Sequence, residues 1–537
     1  CQTRFALIAF TAEVLQHSPA RPPLESRAMP IVIGESLTFE DVVAVALHGE
    51  SVAIGPDVAR KMAPARGLIE DAVASDRTVY GITTGIGDLA TVRIEPDQAL
   101  RLQRDIVLSH ATAVGPPLSR PVVRAMLLLR ARTFAFGVSG VRFELVRRLV
   151  EFLNEGITPV VPEKGSLGAS GDLAQLAHLA LPLIGEGSVE VGGRVMPSSD
   201  ALRTAGLESL ELAHKEGLAL VNGTEAMLAL GILSTVRAET LLRTADVVGA
   251  MTLEACLGTD RAFDEGLLAL RKNPGPQKVG RNLRRLLEAS EIVASHRESE
   301  HLVQDAYSLR CIPQVHGAYR DGVSYVRATL EAELGSAIDN PTVLIDRGEV
   351  LSGGNFHGEA LGLALDHLTL CLTGVATISE RRVARIVDPA LNNGLPAFLT
   401  ADPGRSSGFM LSQYTAAALT AENRALSFPA SSDSIPTSAG QEDHVSMGLT
   451  AARKASQVLS NSEHVVAIEA LAAAQGLELR APLRPAPATG AALEAIRAVS
   501  AALREDRSLG GDIEAVAAML SEAGITRPVE SRIGPLD

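Results

Sequence analysis

The amino-acid sequence predicts a mainly α protein: a long central helical bundle with a smaller mixed N-terminal region. Three observations carry that expectation. Aromatic residues make up only 3% of the 537-residue chain and Trp is absent, while apolar residues reach 46%. The core is therefore built from Ala, Leu, Val and Ile rather than from the rings that fill an aromatic-rich β-sandwich. Several apolar stretches with a three-to-four-residue period run longer than the usual helix of about 10–14 residues. The breaks between them are rich in Pro, Gly or Ser.

In chain order, residues 1–28 hold a short apolar run, Phe5 to Ala12, after Arg4. It ends at Glu13 and leads into Pro19, Pro22 and Pro23 instead of a small-residue cleavage site, so it reads as a disordered or non-native extension, not a secretory signal. Met29 opens a normal domain start. From Leu37 to Gly115 the signals are mixed, with the Gly-rich segment Tyr80-Gly-Ile-Thr-Thr-Gly-Ile-Gly87. Residues 121–155 have helical periodicity. A Pro/Gly-rich loop runs from Pro159 to Gly171, an apolar helix from Leu173 to Ile184, and residues 188–196 alternate around Gly-Gly as a hairpin. Long apolar helices are then expected over 224–270, 320–336, 357–387, 410–427 and 447–475. Breaks fall at Lys272–Gly280, Asp388–Gly408, Phe428–Gly440 and Ala481–Gly490. The expected division is 29–220, an N-terminal region; 221–480, the bundle; and 481–537, a C-terminal helical segment. There is no internal repeat.

Acidic residues outnumber basic ones, 63 against 49, for a net charge of −14, which argues against nucleic acid or an anionic membrane as partner. No stretch approaches the ~20 uninterrupted apolar residues of a membrane span. Cys1, Cys256, Cys311 and Cys371 are far apart with no CxxC pair, so a reducing, cytoplasmic compartment is expected.

Chemistry is concentrated in a few polar or Gly-rich segments. Gly165-Ser-Leu-Gly-Ala-Ser-Gly-Asp-Leu173 precedes a helix, and one reading is an ordinary helix start capped by Ser170 or Asp172. A phosphate site lacks the lysine it would need. A third reading is chemical. Gly has no Cβ, so its nitrogen can approach a preceding carbonyl that other residues would shield. Attack of the Gly171 nitrogen on the Ala169 carbonyl carbon closes a five-membered ring. Loss of water, including the Ser170 hydroxyl, then leaves an exocyclic methylene, an electrophile that no natural side chain offers.

This string resembles the signature of the aromatic amino acid ammonia-lyase family, whose Ala-Ser-Gly triad becomes 4-methylidene-imidazol-5-one (MIO). The Tyr80–Gly87 segment resembles that family's mobile tyrosine loop. Leu218-Ala-Leu-Val-Asn-Gly-Thr224 resembles the Asn-Gly-Thr segment beside the prosthetic group. Gln304-Asp-Ala-Tyr-Ser-Leu-Arg-Cys-Ile-Pro-Gln314 resembles the segment carrying a Tyr and the carboxylate-binding Arg. The match continues through Ser352-Gly-Gly-Asn-Phe356 to Ser438-Ala-Gly-Gln-Glu-Asp-His-Val-Ser446 and covers roughly residues 33 to 510. It implies a fumarase/aspartase-like helical lyase architecture and a homotetramer with active sites shared between subunits. It also implies MIO formed from Ala169-Ser170-Gly171, with no metal and no dissociable cofactor.

Two places resemble the histidine-specific members: Ser109-His110, and Glu442 within Gln441-Glu442-Asp443-His444. A carboxylate holds an imidazole through its N–H and favours the charged ring. Against a phenyl ring the same buried carboxylate has no partner and costs several kcal/mol. The plain alternative for Glu442 is an acid at a helix start. Gly440, Ile312, His316 and Ala306 depart from the histidine pattern, and the first three bear on substrate choice.

The resemblance implies loss of ammonia from L-histidine to give trans-urocanate, the first step of histidine degradation. In that scheme the α-amine adds to the methylene and Tyr80 takes the β-proton, for which its pKa of about 10 must be lowered. Arg310 clamps the carboxylate. Asn222 and Gln304 hydrogen-bond the ring oxygen or the carboxylate, and Tyr307 orients the amine. Ser109, His110 and Glu442 receive the imidazole, Phe356 packs near the prosthetic ring, and Asp172 assists ring closure. His178 and His367 read as satisfied core histidines, and His444 beside Glu442 does not make a metal site. The alternatives are a tyrosine or phenylalanine lyase or an MIO aminomutase. A fumarase-type enzyme would need a Gly-Ser-Ser-x-Met-Pro loop, which is absent. A catalytically dead helical scaffold would not need this set of residues.

Overall fold

A computed structural model describes residues 29–75, 77–168, 171–298 and 303–537, apart from the side chains of residues 96 and 97. The 1–28 extension, Ala169 and Ser170 lie outside the described residues.

The N-terminal region mixes short strands with helices. β1 (Ile31–Ile33) pairs in parallel with β2 (Val52–Ile54) across α1 (Phe39–Leu47). A reciprocal capping box starts α1: Thr38 Oγ1 accepts from Asp41 N–H while the Asp41 carboxylate accepts from Thr38 N–H. α2 (Val58–Ala74) leads to the tyrosine segment, and α3 (Pro96–His110) ends on Ser109-His110. β3 (Val114–Pro117), α4 (Arg120–Ala135), α5 (Phe143–Asn154), β4 (Thr158–Pro159) and β5 (Pro162–Lys164) follow, with β5 returning antiparallel to β3. The expected single helical stretch over 121–155 is thus two helices. Gly137 breaks it, at φ +79° and so close to α2 that a Cβ would lie 2.6 Å from the Lys61 carbonyl oxygen.

α6 (Leu173–Ala180) tightens into a 3₁₀ turn through Ile184. The expected hairpin is β6 (Ser188–Val191) and β7 (Arg194–Pro197), joined by β4 in a three-stranded sheet. Its turn is Gly192-Gly193, both at positive φ, as a tight two-residue hairpin requires. α7 (Ser198–Ala205) and α8 (Glu216–Val221) complete the region.

The bundle begins with α9 (Glu225–Ala255). α10 (Glu265–Ala269), α11 (Pro274–Leu286), α12 (Glu291–Ser295) and α13 (Tyr307–Arg310) lead to α14 (Ile312–Leu334). A small hairpin of β8 (Thr342–Leu344) and β9 (Glu349–Leu351) precedes α15 (Glu359–Val387), α16 (Met410–Leu426) and α17 (Gly448–Glu478). α18 (Pro487–Val499), α19 (Gly510–Ser521) and α20 (Thr526–Ile533) close the chain. Two expected boundaries shift. The stretch 224–270 is helical only to Ala255, and the Lys272–Gly280 break contains the start of α11, because Pro274 opens a helix rather than ending one.

α9, α14, α15 and α17 pack on one another as the central bundle, and small residues set the spacing. A Cβ on Gly231 of α9 would meet Leu330 of α14 and Leu365 of α15 at 3.0 and 3.1 Å, and one on Gly476 of α17 would meet Ala255 of α9 at 2.9 Å. At the centre, fully buried Arg382 of α15 pairs with fully buried Glu469 of α17 at 2.5 and 2.8 Å. Glu469 also accepts from Thr252 Oγ1 of α9 and from Ser379 Oγ. One ionic cluster thus pins three helices, and loss of a single partner would cost about 3–5 kcal/mol. α15 has the length and composition of a membrane span, but 67% of its apolar window is buried within this bundle.

Candidate active site

Tyr80 lies in the connection between α2 and α3. Its Oη accepts from the Gly87 N–H at 2.9 Å. Gly81 and Gly87, both at positive φ, let this segment press on its neighbours: a Cβ would fall 2.3 Å from Leu218 at the first and 2.5 Å from Ser438 Oγ at the second. Asp88 N–H donates to the same Ser438 hydroxyl. Below the loop, the fully buried Gln103 amide donates to the Gly81 carbonyl and accepts from Gly217 and Leu218 N–H. That one side chain ties the tyrosine segment to α8, whose C-terminal cap is Asn222.

Gly171 stands at φ +74° and bridges to Gly223 so closely that a Cβ would lie 1.9 Å from the Gly223 carbonyl oxygen. The Asp172 N–H donates to that oxygen at 2.6 Å. The Asp172 side chain does not cap α6; it accepts from Ala226 and Met227 N–H at the start of α9, and from Ser166 Oγ. Burial pushes its carboxyl up to about 7, aided by the nearby Glu225 charge and opposed by the hydrogen bonds from Met227, Ser166 and Ala226. Asn222 donates to the Asn340 carbonyl at 3.1 Å, and its own carbonyl is held by Arg130 at 2.8 Å. Its Oδ1 is buried without a hydrogen-bond partner among the described residues.

These groups surround a cavity of about 400 Å³ lined by Tyr80, His110, Asn222, Asn340, Phe356 and Glu442, with apolar cover from Leu173 and Leu218. His110 Nδ1 lies 2.8 Å from the Ile106 carbonyl. A carbonyl only accepts, so Nδ1 carries the proton and Nε2 of the neutral ring is left as an acceptor. Burial lowers the His110 pKa, against the Ile106 carbonyl and Glu442, which raise it. Glu442 is half-buried, and its carboxylate accepts from Thr437 Oγ1 at 3.1 Å while the two backbones form an antiparallel bridge. It is not an acid at a helix start, because α17 begins only at Gly448. Tyr80 departs from expectation. Burial raises its pKa, Glu442 raises it further, and only the Gly87 N–H pulls it down.

The remaining predicted residues fall elsewhere. Gln304, Tyr307 and Arg310 line a separate cavity of about 400 Å³, with Arg385 and Asn393. There Tyr307 is 71% exposed, the Arg310 guanidinium lies 4.7 Å from its ring centre, and Arg310 Nε is buried without a partner among the described residues. Within one chain, then, the Gln304–Arg310 segment and the Tyr80 cavity are not brought together. Ser109 lines neither cavity; its exposed hydroxyl contacts the Ile106 carbonyl and His110 Nδ1. Ile312 and His316 are fully buried in the bundle, His316 on Asp246, and touch neither cavity. Gly440 is exposed at φ +91° with open space around it. His178 is less satisfied than expected, since its Nε2 is buried without a partner. Gln103, Ser438 and Asn340 are not legible in the sequence as site residues, because each acts through a partner distant along the chain.

The helical bundle, with a cavity lined by the tyrosine segment, Asn222 and Glu442, has the fold of the helical lyases. The chain belongs to the aromatic amino acid lyase family, whose sequence model matches residues 37–498, and its enzyme class is carbon–nitrogen lyase. It is 51% identical over 507 residues to a histidine ammonia-lyase of Symbiobacterium thermophilum, a match covering 94% of this chain and 99% of that one. Among solved structures it resembles histidine ammonia-lyase from Trypanosoma cruzi, with a TM-score of 0.87, 40% identity, and coverage of 94% and 96%. It also resembles tyrosine aminomutase from Streptomyces globisporus, with a TM-score of 0.89, 38% identity, and coverage of 95% and 100%.

Proposed function

We propose that this enzyme is a histidine ammonia-lyase that releases ammonia from L-histidine to give trans-urocanate in the cytoplasm. The observation that carries this reading is the placement of Glu442 and the His110 acceptor on the cavity that also holds Tyr80, Asn222 and Phe356. Two acceptors suit a ring with two N–H groups, an imidazolium. A phenyl ring offers the Glu442 carboxylate no donor in return for the water it displaces. The higher identity to the Symbiobacterium thermophilum lyase than to the tyrosine aminomutase, 51% against 38%, supports the same choice.

The residues fit a prosthetic group built from Ala169, Ser170 and Gly171. Gly171 offers the left-handed turn and the bare Cα that the ring would need, and it bridges to Gly223, the chain neighbour of Asn222, whose Nδ2 donates to the Asn340 carbonyl and whose Oδ1 has no partner among the described residues. When formed, MIO supplies the electrophile that makes the α-amino group a competent leaving group. Asp172, poised near neutrality, gives or takes the proton when water leaves during ring formation. In turnover Tyr80 Oη takes the β-proton, and the cation needed to lower its pKa comes from outside the single chain. Glu442 and His110 hold the imidazole and so fix which β-hydrogen faces Tyr80.

The Gln304–Arg310 segment completes the site from a neighbouring copy in a homotetramer. This accounts for the exposed Tyr307 and for the Arg310 Nε without a partner. Mixing Tyr80→Phe subunits with Arg310→Ala subunits tests the arrangement. Recovery of activity on co-assembly of two inactive variants is expected, and no recovery would place all groups of a site on one chain.

A further inference from the structure

Outside the groups used above, two histidines and a glutamate meet beside the cavity. His357 follows Phe356, Glu359 opens α15, and His444 stands two residues after Glu442. One ligand atom from each lies within 4.8 Å of the others. His444 Nε2 is 3.7 Å and His357 Nδ1 4.0 Å from the same oxygen, Glu359 Oε2, too far for hydrogen bonds. That oxygen is buried without a hydrogen-bond partner among the described residues. The two rings are stacked at 5.7 Å with an interplanar angle of 4°.

The tautomer of His357 sharpens the point. Its Nε2 lies 3.2 Å from the His444 backbone carbonyl, which can only accept, so Nε2 carries the proton. In the neutral ring Nδ1 is then a lone pair aimed at a carboxylate oxygen. Two lone pairs facing one another across a gap too wide for a hydrogen bond repel unless a cation lies between them. The His444 carbonyl thereby also supplies the orienting bond that metal-ligating histidines usually have on their other nitrogen.

We propose that His357 Nδ1, His444 Nε2 and Glu359 Oε2 form a binding site for a borderline divalent cation such as Zn²⁺. Two imidazoles and one carboxylate are the donor set such ions take, with bonds of about 2.0–2.2 Å. Those bonds set ligand atoms about 3.4 Å apart in a tetrahedron. The two distances to Glu359 Oε2 need to close by about 0.3 and 0.6 Å, and the two nitrogens, which lie within 4.8 Å of each other, by at most about 1.4 Å, a movement that a turn of the exposed His444 side chain can supply. His357 and His444 line a cavity of about 440 Å³ together with Tyr80, Phe356 and Glu442. The ion clips the segment bearing Glu442 to the segment bearing Phe356. The three ligands span 87 positions of sequence, so no short spacing announces them, and the proposal departs from the expectation of no metal. This inference does not rest on the assignment of histidine as substrate.

The test uses the tag-free full-length protein, freed of metal by dialysis against a chelator and titrated calorimetrically with Zn²⁺. Co²⁺ substitution serves as a spectroscopic report of nitrogen and oxygen ligation. One tight equivalent per chain is expected, weakened at least tenfold in His444→Ala and in Glu359→Gln, together with loss of the Co²⁺ ligand-field bands. The exposed position of His444 makes the first variant safe for folding, which circular dichroism checks. Absence of a stoichiometric site, or equal affinity in wild type and both variants, would overturn the proposal.

Discussion

Replacing Asp172 by Asn isolates one buried charge whose cost can be worked out. The Asp172 carboxyl moves from an unfolded value of 3.8 to about 7 in the folded chain. Between those values the native state holds a proton that the unfolded state has released, so stability falls as pH rises through the window and levels off above about 7. The shift of roughly three units sets a ceiling on the order of 4 kcal/mol for the wild-type loss. The side-chain amide of the Asp172→Asn variant has the same shape, can accept from Ala226 and Met227 N–H, and does not titrate. Denaturant unfolding of both proteins between pH 4 and pH 8 gives a difference curve free of every other titrating group. The wild type should lose ground to the variant by up to about 4 kcal/mol across that range. A flat difference would refute the burial argument. A difference that favours the wild type with rising pH would show that the start of α9 stabilises the carboxylate more than burial penalises it.

Glu442→Ala should lower kcat/KM for histidine by about 10- to 100-fold, the worth of a charge-assisted hydrogen bond of roughly 1.5–3 kcal/mol. The same change should raise turnover of phenylalanine, and an equal fall for both substrates would contradict it. Gly171→Ala puts a Cβ 1.9 Å from the Gly223 carbonyl oxygen and adds roughly 1–2 kcal/mol of left-handed strain. The variant should purify without the ultraviolet absorbance of the prosthetic ring and without activity. Arg310→Lys keeps the charge but loses the planar fork; steady-state kinetics should show KM raised about tenfold or more with a smaller change in kcat.

Helices are readable wherever their own residues carry the pattern. α15 and α17 are long runs of Ala, Leu and Val with polar residues at helical spacing, and their limits lie within a few residues of those expected. Ambiguity enters where one residue type has two uses. Pro274 reads as a break and is a helix start, while Gly137 reads as neutral and is a break, because what decides it is Lys61 across the fold. Tyr80, Asn222, Phe356 and Glu442 each stand out from a local string. That they share a cavity depends on Gln103, Ser438 and Asn340, whose bonds join segments more than 100 residues apart. The rise in the Tyr80 pKa is hidden for the same reason, since burial and the Glu442 charge are tertiary. Asp172 reads as a cap for the helix that follows it and instead caps one that starts more than 50 residues later.

The most direct test of the account is a substrate panel on the purified enzyme, following the conjugated acrylate product in the ultraviolet with L-histidine, L-tyrosine and L-phenylalanine, beside Ser170→Ala. The account predicts rapid turnover of histidine alone, abolished in Ser170→Ala. Comparable turnover of tyrosine or phenylalanine would contradict the role given to Glu442 and His110, and histidine turnover surviving in Ser170→Ala would contradict the prosthetic group.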